Sequence, residues 1–389
     1  MSALRWLGFA FGAAIVVGTW SSVIGTLIVP RSIHSSLSRY TGRAVMAVYH
    51  LAVRRVRNFR IRDRVLAWQA PVSLFVRLLV WGALFEVGYA FMLVPFVRGR
   101  TLSAAFQEAG SGLFTLGYAA PSRAGSTVLV YLAAFTGLVV VALQIGYLPT
   151  LYAAFNRREA EVTLLVSRAG APAWGAELLA RTRFGLGSID GTSEMSDLYQ
   201  TWERWAADVA ESHTTYTTLC WLRSPRADAN WLISLLCVMD AAALQLSLSP
   251  SAVPALRARL AIRMGFTCMN QIAQALGEAV VEDPDPDSAI SVSFTDYAAA
   301  VARLESVQYP VEVSAEQSWP HFRGWRVNYE AVAYRLAYLI DAPPAFWSGP
   351  RRWAAEPMAP SRPANRIASE VHSDDPQLMG RGRTAQPGR

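Results

Sequence analysis

Residues 110–121 have the sequence Gly110-Ser111-Gly112-Leu113-Phe114-Thr115-Leu116-Gly117-Tyr118-Ala119-Ala120-Pro121, and they lie between two long apolar segments. Glycines recur through this stretch and a proline closes it, a pattern that predicts irregular backbone between two helices. Irregular backbone at membrane depth is stable only where it is buried in protein or lines a water-filled cavity. The surroundings of this stretch therefore decide the fold.

Three segments are long and apolar enough to cross a membrane. Trp6–Pro30 has no charged residue, Val72–Val97 has only Arg77 and Glu86, and Ala124–Asn156 is again uncharged. A hydrocarbon core about 30 Å thick requires about 20 apolar residues in a helix. A cleaved signal peptide is the alternative for the first segment, but its apolar run is longer than a signal-peptide core. The sequence therefore predicts three transmembrane helices.

The first two segments are joined by a basic loop, residues 31–70, with nine arginines and a single acid, Asp63. Arginine-rich short loops stay on the cytoplasmic side, which predicts the N-terminus outside and the C-terminus inside. Apolar residues at helical spacing between Ala44 and Val56 indicate that part of the loop lies on the inner membrane face. Anionic lipid would then attract it. A nucleic-acid-binding face is the alternative for a basic run, and the position between two spans disfavours it.

A short helix is predicted directly before the quoted stretch. Thr101 can cap it, and an apolar stripe runs from Leu102 to Leu113. A helix of this length is too short to cross a membrane, but it fits a re-entrant segment whose C-terminal dipole end would favour a cation.

An apolar helix, a re-entrant loop with Thr-x-Gly-Tyr and a second apolar helix together resemble the pore unit of the two-transmembrane potassium channel family. The resemblance covers residues 71–158 and implies a homotetramer whose loops replace an ion's hydration shell with backbone carbonyls. By position, Thr115, Leu116, Gly117, Tyr118 and Ala119 would form the selectivity filter. The family pattern is Thr-Val-Gly-Tyr-Gly followed by Asp, so Ala119 and Ala120 depart from it. A plain helix break between two ordinary spans is the alternative.

Other residues of this unit have two interpretations each. The resemblance makes Gly137 a gating-hinge candidate, and close helix packing explains a glycine equally well. Pro149 is the second gating-hinge candidate, because a proline is expected to bend the same helix near its inner end. Glu86, an intramembrane acid, either supports the pore or is a buried, hydrogen-bonded or protonated carboxyl group.

The remaining half predicts a helical cytosolic domain, residues 157–350, followed by a disordered tail, residues 351–389, rich in Pro, Ser, Arg and Gly. Helices are expected at 176–181, 197–222, 230–248, 256–276, 295–304 and 328–340. The apolar segment 230–249 is either a fourth span or a buried core helix, and its Asp240 and Gln245 favour the core helix.

No enzyme chemistry is expected. The chain has no lysine, and its three cysteines and five histidines lack the spacing of a metal or redox site. Glu211, Ser212 and His213 are adjacent on a helix and point in different directions, so they predict no triad. The acidic run 282–287 lacks the glycine and distal glutamate of a calcium loop and is expected to be a solvated linker.

The sequence thus predicts an all-α membrane protein with domains at residues 1–30, 31–70, 71–156, 157–350 and 351–389. The expected function is passive flux of a monovalent cation, potassium by resemblance, across the plasma membrane, with no cofactor and no nucleic-acid partner. The rival hypothesis is a non-conducting scaffold or signalling protein whose helical domain binds a partner.

Overall fold

The computed structural model describes residues 2–29, 36–121, 123–182 and 191–362, and the regular elements in these ranges are all helical, which confirms the predicted all-α class. The α-helices are α1 (Ser2–Leu27), α2 (Ser36–Val53), α3 (Phe59–Leu66), α4 (Gln69–Leu93), α5 (Leu102–Leu113), α6 (Ala124–Ala169), α7 (Gly175–Arg181), α8 (Gly191–Thr215), α9 (Trp231–Leu248), α10 (Ala255–Ala275), α11 (Phe294–Glu305), α12 (Ala315–Arg326) and α13 (Glu330–Leu339). Two 3-10 helices lie at Arg98–Arg100 and Thr217–Trp221.

Four helical segments are long and apolar enough to cross a membrane: α1, the stretch through α3 and α4, α6 and α9. In the first three, 22–28% of the most apolar window is buried within the protein, whereas in α9 the share is 94%. The surface of α9 is therefore covered by protein, which supports its interpretation as a core helix. Large apolar side chains on the other three, such as Phe11, Phe75 and Phe135, are exposed.

Close contact between two glycines brings α1 against α4. A Cβ added at Gly12 would lie 2.4 Å from the carbonyl oxygen of Gly88, and one added at Gly88 would lie 3.0 Å from that of Gly12. Small residues at a crossing allow the backbones of apolar helices to approach closely. The indole Nε1 of Trp81 donates to Ser22 Oγ at 3.0 Å and adds a polar contact to the same interface.

The C-terminal half is built around α9, which has neighbours on all sides. Its core also includes Val162, Leu165 and Ala169, which belong to the second half of α6. Because α6 runs unbroken from Ala124, one helix connects the apolar bundle with this core. The predicted helices are present here, except that the one expected at 197–222 is divided into α8, which ends at Thr215, and the 3-10 helix Thr217–Trp221. Helix α12, which contains Pro320, is an additional one.

Part of the predicted tail is packed. Arg351 is buried, and its guanidinium donates to the carbonyl oxygens of Ala342 at 2.6 Å and Pro343 at 2.7 Å. The Ser361 backbone N–H donates to the Ala171 carbonyl at 3.1 Å. The packed domain therefore extends past the predicted boundary at 350 as far as residue 362, and residues 363–389 lie outside the described part of the chain.

Candidate functional site

Helix α5 begins where the sequence predicts. The Thr101 hydroxyl accepts a hydrogen bond from the Ala104 backbone N–H at 3.3 Å, and the helix ends at Leu113. At 1.5 Å per residue its twelve residues span about 18 Å, well short of a hydrocarbon core. The helix is too short to cross a membrane, and its C-terminal half is buried against α4 and α6.

Helix α5 folds back between α4 and α6. A Cβ at Gly110 would lie 3.0 Å from Glu86 Oε1 of α4, and a Cβ at Gly112 would lie 2.9 Å from Val130 Cγ1 of α6. The Leu113 carbonyl oxygen would lie 2.0 Å from a Cβ at Gly137, which is 13 residues into α6. The end of α5 thus lies about 20 Å along α6 from where that helix begins.

The loop that follows, residues 114–121, is called the TLGY loop below. Its first amides close the end of α5, because Thr115 N–H donates to the Gly112 carbonyl at 2.9 Å and Leu116 N–H to the Ser111 carbonyl at 2.9 Å. Thr115 (φ 54°) and Gly117 (φ 69°) both adopt the left-handed conformation. That conformation is costly for L-residues, so Gly117 has a backbone reason to be glycine.

The side chain of Ser111 holds the far end of the TLGY loop. Its Oγ accepts from the Ala119 backbone N–H at 3.0 Å and donates to the Ala119 carbonyl at 3.4 Å. The Thr115 hydroxyl donates to the Phe114 carbonyl at 2.8 Å. Between these ends the loop is exposed: Leu116 and Tyr118 are each 64% accessible. Among the described residues, no atom beyond the two chain neighbours lies within 4 Å of the position where a Gly117 Cβ would be.

The predicted residues form one group, with a single exception. Glu86 lies beside Gly110 of α5 and Gly137 lies beside Leu113 at the end of α5, so both are next to the base of the TLGY loop. Pro149 is exposed on α6, nearer the C-terminal half, and the helix continues through it. The contact at Gly137 accounts for that glycine by packing, and its hinge role stays a prediction.

Sequence reasoning did not single out one residue of α5, Glu108, as a candidate. Glu108 is a buried acid in the middle of the helix, with 7% of its surface accessible. A carboxylate within an apolar bundle is costly, and such residues mark functional positions. The sequence could have indicated this burial, because Glu108 lies on the same helix face as the predicted apolar stripe, between Ala105 and Ser111.

The basic loop contacts the C-terminal half directly. Arg62 Nη2 lies 3.2 Å and His50 Nδ1 lies 3.0 Å from Asp341 Oδ2, and Arg223 Nη1 lies 2.6 Å from Asp63 Oδ1. Burial raises the pKa of Asp341, but the hydrogen bond from His50 and the nearby arginines outweigh it and hold the pKa below its ordinary value. These contacts place the basic loop and the C-terminal half at the same end of the apolar bundle.

A second polar cluster lies where α6 enters the C-terminal half. Arg158 is fully buried, and it donates to Glu159 Oε1 at 2.6 Å and to the carbonyl oxygens of Leu219 and Leu222 at 2.7 Å and 2.8 Å. Its Nη1 also lies 3.0 Å from His213 Nε2. Burial and the charge of Arg158 hold the pKa of His213 well below its ordinary value, so the imidazole is neutral.

This cluster does not form a catalytic triad. Ser212 Oγ lies 3.1 Å from His213 Nδ1, but the hydroxyl donates to the Asp208 carbonyl at 2.7 Å, and the other ring nitrogen faces Arg158 instead of a carboxylate. In the described ranges, no group of three His, Cys, Asp or Glu side chains is placed to hold a metal ion. The contacts around Arg158 instead attach α6 to α8 and to the 3-10 helix after it.

Comparison with known proteins adds no relative: no protein-family model, no curated protein and no solved structure matches this chain.

Proposed function

We propose that the chain is a channel-like integral membrane protein that conducts a monovalent cation passively. In this proposal α1, α4 and α6 cross the plasma membrane, α5 is a re-entrant pore helix, and the TLGY loop is the filter. Residues Thr115 to Ala119 would coordinate the ion through backbone carbonyls, as the resemblance to potassium channels implies. Potassium is the expected ion, and the C-terminal half would regulate the pore from the cytoplasm.

The observation that carries the proposal is the return of α5 between two long apolar helices. The Leu113 carbonyl contacts Gly137 well inside α6, so a helix too short to span ends deep in the bundle. Non-helical backbone at that depth requires either protein cover or a water-filled space. In one chain the TLGY loop is exposed. In the proposed tetramer, a shared water-filled pore would solvate this non-helical backbone.

The exposure of the TLGY loop in one chain also motivates the proposed homotetramer. Each chain offers one TLGY loop, and the resemblance implies four around an axis. The protein purified in mild detergent is therefore expected to have a protein mass near four times 42.6 kDa. A monomer under conditions that preserve other membrane tetramers would contradict the assembly.

The contact between the basic loop and the C-terminal half supports the topology. Both carry arginines, and the ion pairs Arg62–Asp341 and Arg223–Asp63 place them at one end of the bundle. By the arginine rule that end is cytoplasmic. A reporter fused after Arg64 should be cytoplasmic, and one fused before Arg5 should be outside.

Flux through liposomes tests the filter. Gly117→Val adds a branched side chain at a left-handed position, at a cost of roughly 1–2 kcal/mol per chain. Two controls isolate the effect, because in the described part of the chain no atom beyond the adjacent residues and the local helix backbone lies within 4 Å of the Cβ position at Gly18 in α1 or at Gly277. Gly277 also has a positive φ of 81°, so Gly277→Val carries the same backbone strain outside the filter.

We expect Gly117→Val to lose flux while Gly18→Val and Gly277→Val retain it. Ala119→Gly is expected to sharpen selectivity for potassium over sodium, because it restores the residue of the family pattern. Flux unaffected by Gly117→Val would mean that ions pass by another route.

One observation favours the rival, a non-conducting membrane scaffold or signalling protein. Ser111 holds both the amide and the carbonyl of Ala119, and the Thr115 hydroxyl donates to the Phe114 carbonyl, so these groups already have hydrogen-bond partners within one subunit. If neither wild type nor Ala119→Gly carries any cation, the scaffold is the better description and the C-terminal half is the working part.

A further inference from the structure

A cavity of about 210 Å³ lies where the apolar bundle meets the C-terminal half. Its described lining comes from α1, α2, α4, α6, the end of α10 with the residues after it, the end of α13 and the segment around the 3-10 helix Thr217–Trp221. We call it the arginine cavity, because Arg39 and Arg43 of α2 and Arg77 of α4 line it. Arg39 and Arg43 are exposed and four residues apart, so they share one face of α2 at the cavity edge.

Two donors in this lining are unsatisfied. Arg77 Nε and Trp221 Nε1 are buried, and neither has a hydrogen-bond partner among the described residues. A buried donor without an acceptor is destabilising, and more so when the group is charged. Both side chains line the same cavity, so a single acceptor-rich ligand could satisfy them together.

The charge around the cavity is positive. Among the described lining residues one is acidic, Glu278, and its Oε2 lies 3.8 Å from Arg335 Nη1. Within the described ranges Arg77 forms no ion pair, and neither do Arg39 and Arg43. Three arginines line the cavity, and the acid among the described lining residues is already paired with Arg335. The lining is therefore suited to binding an anion.

We infer that the arginine cavity binds a phosphate ester, with Arg77 and Trp221 as the deep donors and Arg39 and Arg43 at the edge. Guanidinium groups suit phosphate because their N–H donors match its oxygens. The volume equals that of about seven water molecules, enough for a phosphate with a small organic group. The ester could be the headgroup of an anionic phospholipid or a soluble phosphorylated compound.

Such a ligand would join the two halves of the protein. Arg77 belongs to α4 in the apolar bundle, whereas Trp221 belongs to the C-terminal half, so a ligand bound by both stabilises their contact by mass action. The site does not depend on conduction, because its binding is measured without ion flux. A protein that conducts nothing could still bind the ester, and the two proposals fail separately.

Thermal unfolding of the detergent-purified full-length protein, depleted of co-purified lipid, tests the site. One arm adds inorganic phosphate or glycerol 3-phosphate, and the other adds micelles containing phosphatidylglycerol or, for comparison, phosphatidylcholine. A rise in melting temperature with the soluble compounds identifies a soluble ester, and a rise with phosphatidylglycerol alone identifies a lipid headgroup. No rise in either arm overturns the inference.

Variants locate the effect. Arg77→Met removes the unpaired charge and keeps an unbranched apolar side chain, so the ligand-free melting temperature should be unchanged or higher. The Kd should weaken at least about tenfold, the effect of a lost charged hydrogen bond. Trp221→Phe keeps a ring and removes the N–H donor, and it should weaken the Kd about threefold to tenfold. Arg55→Met, an exposed position outside the lining, is the charge-matched control. Equal ligand shifts in Arg77→Met and Arg55→Met would refute the site.

Discussion

The contact between Gly137 and the end of α5 supports a sharp mutational test. In Gly137→Ala the new Cβ would lie 2.0 Å from the Leu113 carbonyl oxygen, about 1.5 Å inside the optimal separation of non-bonded heavy atoms. The obstructing atom is backbone, so α5 or α6 must move. Overpacking of this kind costs typically 1–3 kcal/mol, and α5 carries the TLGY loop with it.

Helix propensity acts in the opposite direction, so the sign of the change in melting temperature shows whether the clash or the propensity dominates. Alanine is favoured over glycine in a helix interior by about 1 kcal/mol. Gly146, in the same helix, has no atom of another described segment within 4 Å of its Cβ position, so Gly146→Ala receives this gain without a clash. We expect Gly146→Ala to raise the melting temperature slightly and Gly137→Ala to lower it by a few degrees.

The assay is thermal unfolding of both variants in the same detergent, followed by tryptophan fluorescence, with liposome flux measured on the same preparations. If Gly137 is only a hinge with open space around it, Gly137→Ala will stabilise the protein as Gly146→Ala does. That result would refute the packing of α5 into α6 and, with it, the depth at which the TLGY loop begins.

Three further predictions concern stability. Gly12→Leu should cost about 1–3 kcal/mol by forcing α1 away from α4, whereas Gly18→Leu, at an open position of α1, should be nearly neutral by the same melting assay. The pKa of Asp341 is lowered in the folded protein, so its contribution to folding stability is complete above the unfolded value of about 3.8 and is lost as the pH falls through the lower folded value. Asp341→Asn should therefore destabilise the protein at neutral pH. In acid titration the difference in stability between this variant and wild type should shrink. Arg326→Met leaves the buried Asp240 carboxylate without its ion pair and should cost about 3–5 kcal/mol in chemical unfolding, against at most about 1 kcal/mol for Arg335→Met at the exposed pair with Glu278.

Local signals in the sequence predicted the helices around the TLGY loop well. Thr101 marks the start of α5 as a capping residue, and the length of the uncharged run after Arg123 marks α6. The burial of α9 followed from Asp240 in an otherwise apolar segment, since the structure pairs that carboxylate with Arg326. The start of α5 and the extent of α6 depend on neighbouring residues, so local reasoning is sufficient for them. Asp240 indicates only that a polar partner is needed, and not that the partner is Arg326, 86 residues away.

Features that depend on distant residues were not predictable in this way. Arg62 and Asp341 are 279 residues apart in the chain, and nothing local to either indicates the pair. Helix α12 was missed because Pro320 in its middle argues against a helix. The described lining of the arginine cavity comes from seven parts of the chain, so no single motif indicates it.

The continuity of α6 has a consequence for how this chain can evolve. Its first part packs Leu129 and Ala133 in the apolar bundle, and its last part supplies Val162, Leu165 and Ala169 to the C-terminal core. A recombination event near residue 157 would exchange half of a helix and leave one core filled by a foreign sequence. The two halves are thus expected to be inherited as a single unit, with substitutions in one half selected for compatibility with the other.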